Sequence, residues 1–187
     1  MTIQTISNVL INPNEIFVFD TDIISQLYLG EKLGEIPILF PKNKKIVLDV
    51  VVQELRKHSN LKIVIDNLIH TWRYIEEVPF PINFEIQKEY AHLTSPLIDR
   101  GKGESACMAY CKYNKYTLAS SNLKDVGQYC RMHNIKNIAI MDLIEYAYEI
   151  GIWDESNCNE FISKLISKGE RIPCQSLGEY FAKKKAA

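Results

Sequence analysis

Carboxylates recur in this chain wherever an apolar run gives way to a helical pattern. Asp20 and Asp22 close Ile16-Phe17-Val18-Phe19, and Asp49 and Glu54 follow Ile46-Val47-Leu48. Asp99 and Glu104 flank Gly101-Lys102-Gly103, and Asp125 comes at the end of Ser120-Ser121-Asn122-Leu123-Lys124. Carboxylates brought to one crevice repel and raise each other's pKa unless a cation sits between them. Hard oxygen donors in that number suit Mg²⁺ or Mn²⁺. Such an ion lowers the pKa of a bound water and clamps the oxygens of an in-line phosphoryl displacement.

Taken singly, each acid also has a plainer role. Asn122 with Asp125 three residues on has capping-box spacing, and Asp49 suits an N-cap. Glu104 favours a helix N-terminus through the macrodipole, while Glu54 can pair with Lys57 or His58 on a solvated face. Their joint occurrence at successive strand ends favours a shared site.

The elements that must bring them together follow from periodicity. The run 16–19 is too continuous for a half-exposed strand and reads as one buried on both faces. An Asp at its end is costly to bury alone and needs a partner, a hydrogen bond or a metal. Residues 23–29 then run at helical spacing toward Gly30, and 33–45, with Pro37 and Pro41, reads as a loop. A second strand covers 46–48, with a helix over 50–57 capped by Asp49. Leu61, Val64, Ile65, Leu68, Ile69, Trp72 and Ile75 form one apolar helical stripe from Asn60, broken at Val78-Pro79-Phe80-Pro81. A helix follows over 82–94, then a flexible Gly101-Lys102-Gly103 loop and a small-residue helix from Glu104 to Cys111. Strands over 116–120 and 137–141 precede helices over 123–133 and from Asp142 to Ile150. Helices at 154–168, ending in Gly169, and 177–184 complete the chain. Alternating strands and helices predict an α/β fold, three-layer α/β/α with a mainly parallel sheet of four to five strands. Right-handed crossovers put the strands' carboxyl ends on one edge, where open α/β sheets bind ligands. A single domain over 1–187 is expected, with its core at about 15–173, an irregular N-terminus and a short C-terminal helix.

Composition narrows the partners. The 187 residues are 47% hydrophobic and 24% charged, with a formal net charge of −1, so nucleic acid would have to be held by a local patch or a metal rather than bulk charge. Apolar runs fall far short of the roughly 18 residues of a membrane span. The first fourteen residues lack the basic start and apolar core of a signal peptide. A cytoplasmic protein without membrane partners is expected. Five cysteines argue against a disulfide framework there. Cys107, Cys111, Cys130 and His133 could be imagined around zinc, but their helical, apolar surroundings suit free thiols acting as small hydrophobes.

The order of these segments resembles the PIN-domain nucleases, many of them ribonuclease toxins of toxin–antitoxin pairs. The resemblance is carried by Val18-Phe19-Asp20-Thr21-Asp22-Ile23-Ile24, Val52-Gln53-Glu54-Leu55, Gly103-Glu104-Ser105-Ala106 and Leu118-Ala119-Ser120-Ser121-Asn122-Leu123-Lys124-Asp125. The closing Gly151-Ile152-Trp153-Asp154 through Gly169-Glu170-Arg171-Ile172-Pro173 adds to it, so about 17–173 is covered. It implies a metal-dependent endoribonuclease in which Asp20, Glu54, Glu104 and Asp125 hold Mg²⁺ or Mn²⁺ and are catalytic, with Thr21, Asp22 and Asn122 supporting. RNA is then the substrate, single-stranded or looped, and a small antitoxin and a second copy of the chain are candidate partners. Many relatives carry Asp where Ser121 or Asn122 stands here, and Asp where Glu104 stands. Lys42, Lys44, Lys45, Lys102, Lys124 and Arg131 are candidate phosphate contacts as well as ordinary surface charges.

Two other readings compete. Asp20-Thr21-Asp22 also resembles the start of haloacid-dehalogenase phosphatases, whose first Asp is a nucleophile, but Ile24 departs from their pattern and their late Gly-Asp-x-x-x-Asp is absent. A catalytically degenerate fold of the same family, serving as a nucleic-acid-binding or protein-interaction module, would use the acids as caps. No Walker-type phosphate loop occurs.

Overall fold

The protein is described here by a computed structural model covering residues 11–98 and 100–186. The expectations placed on Asp99 and on the first ten residues lie outside the described residues. Chain contacts divide the protein into two compact units, one built from 13–25 and 42–139, the other from 26–41 and 140–186.

The first unit holds the sheet. Its strands are β1 (Ile16–Phe19), β2 (Lys44–Leu48), β3 (Glu76–Val78), β4 (Thr117–Ala119) and β5 (Asn137–Ile138). They lie in the order β3-β2-β1-β4-β5, and every pairing is parallel. The fold class is the expected one, an all-parallel sheet flanked by helices and consistent with three α/β/α layers. Phe17, Val18 and Phe19 are wholly buried, which is why β1 shows no polar alternation. In chain order the helices are α1 (Thr21–Leu29), α2 (Ile36–Leu39), α3 (Asp49–Leu55), α4 (Ser59–Asp66) and α5 (Phe84–Leu93). They continue as α6 (Lys102–Asn114), α7 (Val126–His133), α8 (Ile140–Glu149), α9 (Glu155–Ser167) and α10 (Leu177–Ala186). Among the described residues no helix is long and apolar enough to cross a membrane.

Several boundaries depart from the sequence reading. The apolar stripe from Asn60 does not stay one helix: α4 passes into a π-helical turn at Asn67–Thr71, Arg73 turns with φ +55°, and β3 follows. Trp72, expected on the buried stripe, is 46% exposed. The segment 33–45 is no simple loop, because a 3₁₀ turn at Leu33–Glu35 leads into α2, with Pro37 in its first turn where a missing N–H costs nothing. The run 137–141 splits: only Asn137–Ile138 pairs with β4, and Ile140 and Met141 start α8, so Asp142 sits inside the first turn rather than capping it.

In the second unit Asp154 caps α9 through a capping box, accepting from the Asn157 backbone N–H while the Asn157 side chain accepts from the Asp154 N–H. Gly30, just past α1, lies against the buried Phe161 ring of α9: a Cβ there would stand 2.0 Å from Phe161 Cε2. Gly30→Ala is therefore expected to overpack this unit at a cost of about 1–3 kcal/mol. A fall in melting temperature of about 2–4 °C per kcal/mol would report it, and an unchanged melting temperature would mean that Phe161 yields freely.

Candidate functional site

Asp20, Thr21, Asp22, Glu54, Glu104, Asn122 and Asp125 all belong to the first unit and lie just past the carboxyl ends of strands or in the first or last turns of helices. Asp20 continues β1 for one more ladder bond, its N–H donating to the Ala119 carbonyl at 3.0 Å. Its carboxylate then turns to the next backbone, accepting from Thr21 N–H at 2.8 Å. The residue is 4% exposed, one of two buried acids, with Glu145, among the described residues.

Asp20 and Asp22 share a hydroxyl. Ser120, wholly buried at the end of β4, lies 3.1 Å from Asp20 Oδ2 and 3.2 Å from Asp22 Oδ2. Asp22 Oδ2 also accepts from Ser121 N–H at 2.8 Å, and Asp22 Oδ1 from Ile23 N–H at 2.6 Å. One hydroxyl has one proton, so Ser120 can donate to only one of the two carboxylates at a time. The other close contact is favourable only if an acid carries the missing proton. Burial, followed by the Asp22 charge, pushes Asp20 up to about 8 from its ordinary 3.8, against the bonds from Thr21 and Ser120. Burial also raises Asp22, opposed by the bonds from Ser121, Ile23 and Ser120. In the metal-free protein Asp20 thus holds a proton at neutral pH.

Glu54, in the last turn of α3, does not pair with Lys57 or His58. Its Oε2 accepts from Thr21 Oγ1 at 3.0 Å, and its Oε1 accepts from the Gly103 backbone N–H at 2.9 Å. A Cβ at Gly103 would stand 2.4 Å from Glu54 Oε2. Gly103 is therefore no hinge of a flexible loop. It lies in the first turn of α6, which starts at Lys102, and leaves room for a carboxylate.

Glu104 and Asp125 meet through Asn122. The Asn122 amide donates to Glu104 Oε2 at 2.6 Å and to Asp125 Oδ2 at 3.3 Å, while Asp125 N–H donates to Asn122 Oδ1 at 3.4 Å. The capping-box spacing of Asn122 and Asp125 thus becomes a real local pair ahead of α7, which begins only at Val126. Burial raises the Glu104 carboxyl; Asp125 and Asp22 raise it further, against Asn122 and Arg100. Glu104 Oε1 is buried with no hydrogen-bond partner. Electrostatically, Asp20, Asp22, Glu104 and Asp125 sense one another as a chain of neighbours.

Asp49 stands apart from this chain, and its carboxylate is no simple N-cap. It is the first residue of α3, accepting from Val50 N–H at 2.8 Å and from Phe80 N–H at 2.9 Å, so it pins the segment after β3. Lys42, Lys44 and Lys45 lie at the amino end of β2, level with the start of β1, and so at the opposite edge from Asp20; Lys44 pairs with Glu76 at 3.0 Å. Of the suggested phosphate contacts, Lys102 and Lys124 stand exposed at the acidic edge. All five cysteines are free and buried, with burial raising each thiol.

Ser120 and the Gly103 N–H are parts of the site to which the sequence alone assigns no role. Position is their only signal: Ser120 directly follows a buried strand, and Gly103 directly precedes an acid. The donor set is all hard oxygen, which fits a divalent cation, and the unpartnered Glu104 oxygen is the kind of atom such an ion would satisfy. Among the described residues, however, no three His, Cys, Asp or Glu side chains stand together as a ready ligand set. No protein-family model and no curated protein matches the chain.

Proposed function

We propose that this protein is a metal-dependent endoribonuclease. The observation that carries the reading is the run of neighbouring carboxylates gathered past the ends of β1 and β4, with Asp20 buried and one Glu104 oxygen buried and unsatisfied. Acids so placed carry a cost in desolvation and mutual repulsion that a bound cation would offset. Asp20, Asp22, Glu54, Glu104 and Asp125 are the residues that would hold Mg²⁺ or Mn²⁺. The ion supplies charge for the transition state and a more acidic bound water.

The residues' own work is separate. Ser120 holds the Asp20 and Asp22 carboxylates side by side, and Thr21 with the Gly103 N–H fixes Glu54. Asn122 carries Glu104 and Asp125 as one unit. To take part in holding a cation, Asp20 would have to be ionised, against the burial that raises it. Lys102 and Lys124 offer charge to the phosphates on either side. Cytoplasmic action as the toxin of a toxin–antitoxin pair, held in check by a small antitoxin, belongs to the same proposal.

The test is a digest of several single-stranded and looped RNAs in Mg²⁺ and in Mn²⁺, with a chelated control. Cleavage that chelation abolishes supports the reading. No cleavage with either ion overturns it in favour of a binding module, a reading favoured by one observation, namely that both Glu54 oxygens are already engaged in bracing. Gly103→Ala sharpens the test, because the new methyl needs the space of Glu54 Oε2. We expect cleavage to fall by about tenfold or more, as misplacement near the chemistry does, with little change in melting temperature since the displaced group is a flexible side-chain end. Full activity in Gly103→Ala would remove Glu54 from the site.

A further inference from the structure

Between α5 and α7 a cavity of about 260 Å³ opens beside the acidic site, lined by Leu93, Ile98, Arg100, Gln128, Tyr129 and His133 among others. Two stretches of chain join it to the acids. Arg100 lies four residues before Glu104, near enough for its charge to lower that carboxyl. Gln128 lies three residues after Asp125, one turn into α7.

The floor of this cavity is fixed. Glu89 accepts from Tyr129 Oη on one oxygen at 2.8 Å and from Lys112 Nζ on the other at 2.7 Å, so its carboxylate is held in place. Tyr129 and His133 face each other with ring centroids 4.3 Å apart, tilted by 55°, and make an aromatic wall. Leu93 and Ile98 supply apolar surface. Met132, 69% exposed, stands at the rim with an unburied thioether. The rim donors are the Arg100 guanidinium and the Gln128 amide.

We propose that this cavity is a subsite for one unpaired nucleobase of the RNA strand, with guanine preferred. The proposal rests on the ribonuclease reading for its place in the reaction, though not for the binding itself. Unpaired bases are held by stacking on aromatic or imidazole rings and on guanidinium planes, with hydrogen bonds to the base edge. The volume of about 260 Å³ is room enough for one purine ring system. With Glu89 tied to Tyr129 and Lys112, Arg100 is the cationic donor of the lining, and guanine presents two adjacent acceptors, O6 and N7, to which Arg donates in pairs. The base would dock beside the acids while its phosphate lies toward Glu104. Strand selection would then come from the cavity and bond breaking from the acids.

Nucleosides lack phosphate, so they probe the cavity without the acidic site. Each of guanosine, adenosine, uridine and cytidine is titrated into the intact protein in chelator while the histidine ring protons are followed by NMR. The chain has four histidines, and His58 serves as an internal reference outside the cavity. Guanosine should shift His133 and His92, which also lines the cavity, leave His58 unmoved, and bind more tightly than the other three. Arg100→Ala should weaken guanosine binding by about tenfold, the scale of one lost bidentate contact. Gln128→Ala, an exposed change that spares the fold, should weaken it to a smaller extent. The subsite is overturned if no nucleoside moves His92 or His133 at low millimolar concentration. Equal binding of all four, unchanged by Arg100→Ala, overturns it too. Nucleoside binding without any metal-dependent cleavage would sink the ribonuclease reading and leave the cavity standing; cleavage without nucleoside binding does the reverse.

Discussion

Asp20→Asn protein is expected to cleave RNA about a hundred- to a thousandfold more slowly than wild type while folding normally. The amide keeps the shape of the carboxyl and can still accept from Thr21 N–H, so the turn from β1 into α1 survives. What it loses is the negative charge at the most buried acid of the site. Removing one preorganised electrostatic group from a water-poor site typically costs that much in rate. Glu104→Gln should cost a similar factor, because the buried, unpartnered oxygen is replaced or turned away. Asp125→Asn should be milder, since Asn122 already ties Asp125 and Glu104 together. Asp49→Ala is the control: its carboxylate holds the Val50 and Phe80 N–H groups, so stability should fall while the rate per folded molecule stays. Initial rates on one RNA, measured for all five proteins at saturating Mn²⁺, separate these effects. Equal rates for Asp20→Asn and wild type would end the assignment at its centre.

How far the sequence foretells this arrangement differs from residue to residue. β1 is legible because four consecutive apolar residues ending in Asp suit a buried strand and little else, and the structure buries Phe17, Val18 and Phe19 completely. β3 is not, because Glu76-Glu77-Val78 carries one apolar residue and follows a long amphipathic stripe. Its strand character is imposed from outside, by pairing with β2 and by salt links from Lys44 to Glu76 and from Arg56 to Glu77. Ile140 and Met141 belong to the class of short apolar runs that periodicity cannot divide between strand and helix. Gly101-Lys102-Gly103 misleads for a different reason: glycine marks a loop in most sequences, and the carboxylate that demands Gly103 lies 49 residues away. The lysines at 42–45 mislead because sequence distance from a strand does not say which end of the sheet they reach. Asp22 has only a supporting part on sequence grounds, yet it shares a hydroxyl with Asp20, and only the placement of Ser120 by β4 makes that visible.

Without divalent ions, the wild-type protein should melt at progressively lower temperature as pH rises from 6.5 to 9, and Asp20→Asn should show a shallower slope. Asp20 is raised from 3.8 to about 8 by burial and the Asp22 charge, so between those values the folded state binds a proton that the unfolded state has released. Stability then falls with rising pH; the contribution is whole below 3.8 and is lost as pH passes through about 8. Asp22 and Glu104, both raised, act in the same direction. Opposite in sign are Glu89, lowered by its bonds from Lys112 and Tyr129 against the cost of burial, and His133, lowered by burial. Both act below pH 6.5 and so outside this window. The raised cysteines add a loss near the top of the range, and because the Asp20 charge helps to raise Cys107 and Cys111, part of that loss goes with Asp20 and widens the difference between the two proteins. An amide at position 20 resembles the protonated acid and can donate where the carboxylate cannot, so the two melting temperatures should converge near pH 5 and part above 7. By pH 9 the gap should exceed the roughly 2–4 °C that 1 kcal/mol is worth in a protein of this size. Saturating Mn²⁺ should then raise wild type and leave Asp20→Asn almost where it was, because an ion that binds only the folded carboxylates stabilises by mass action. Parallel pH curves for the two proteins would show that Asp20 is ionised throughout, and the shared-proton account of Asp20, Ser120 and Asp22 would fall with them.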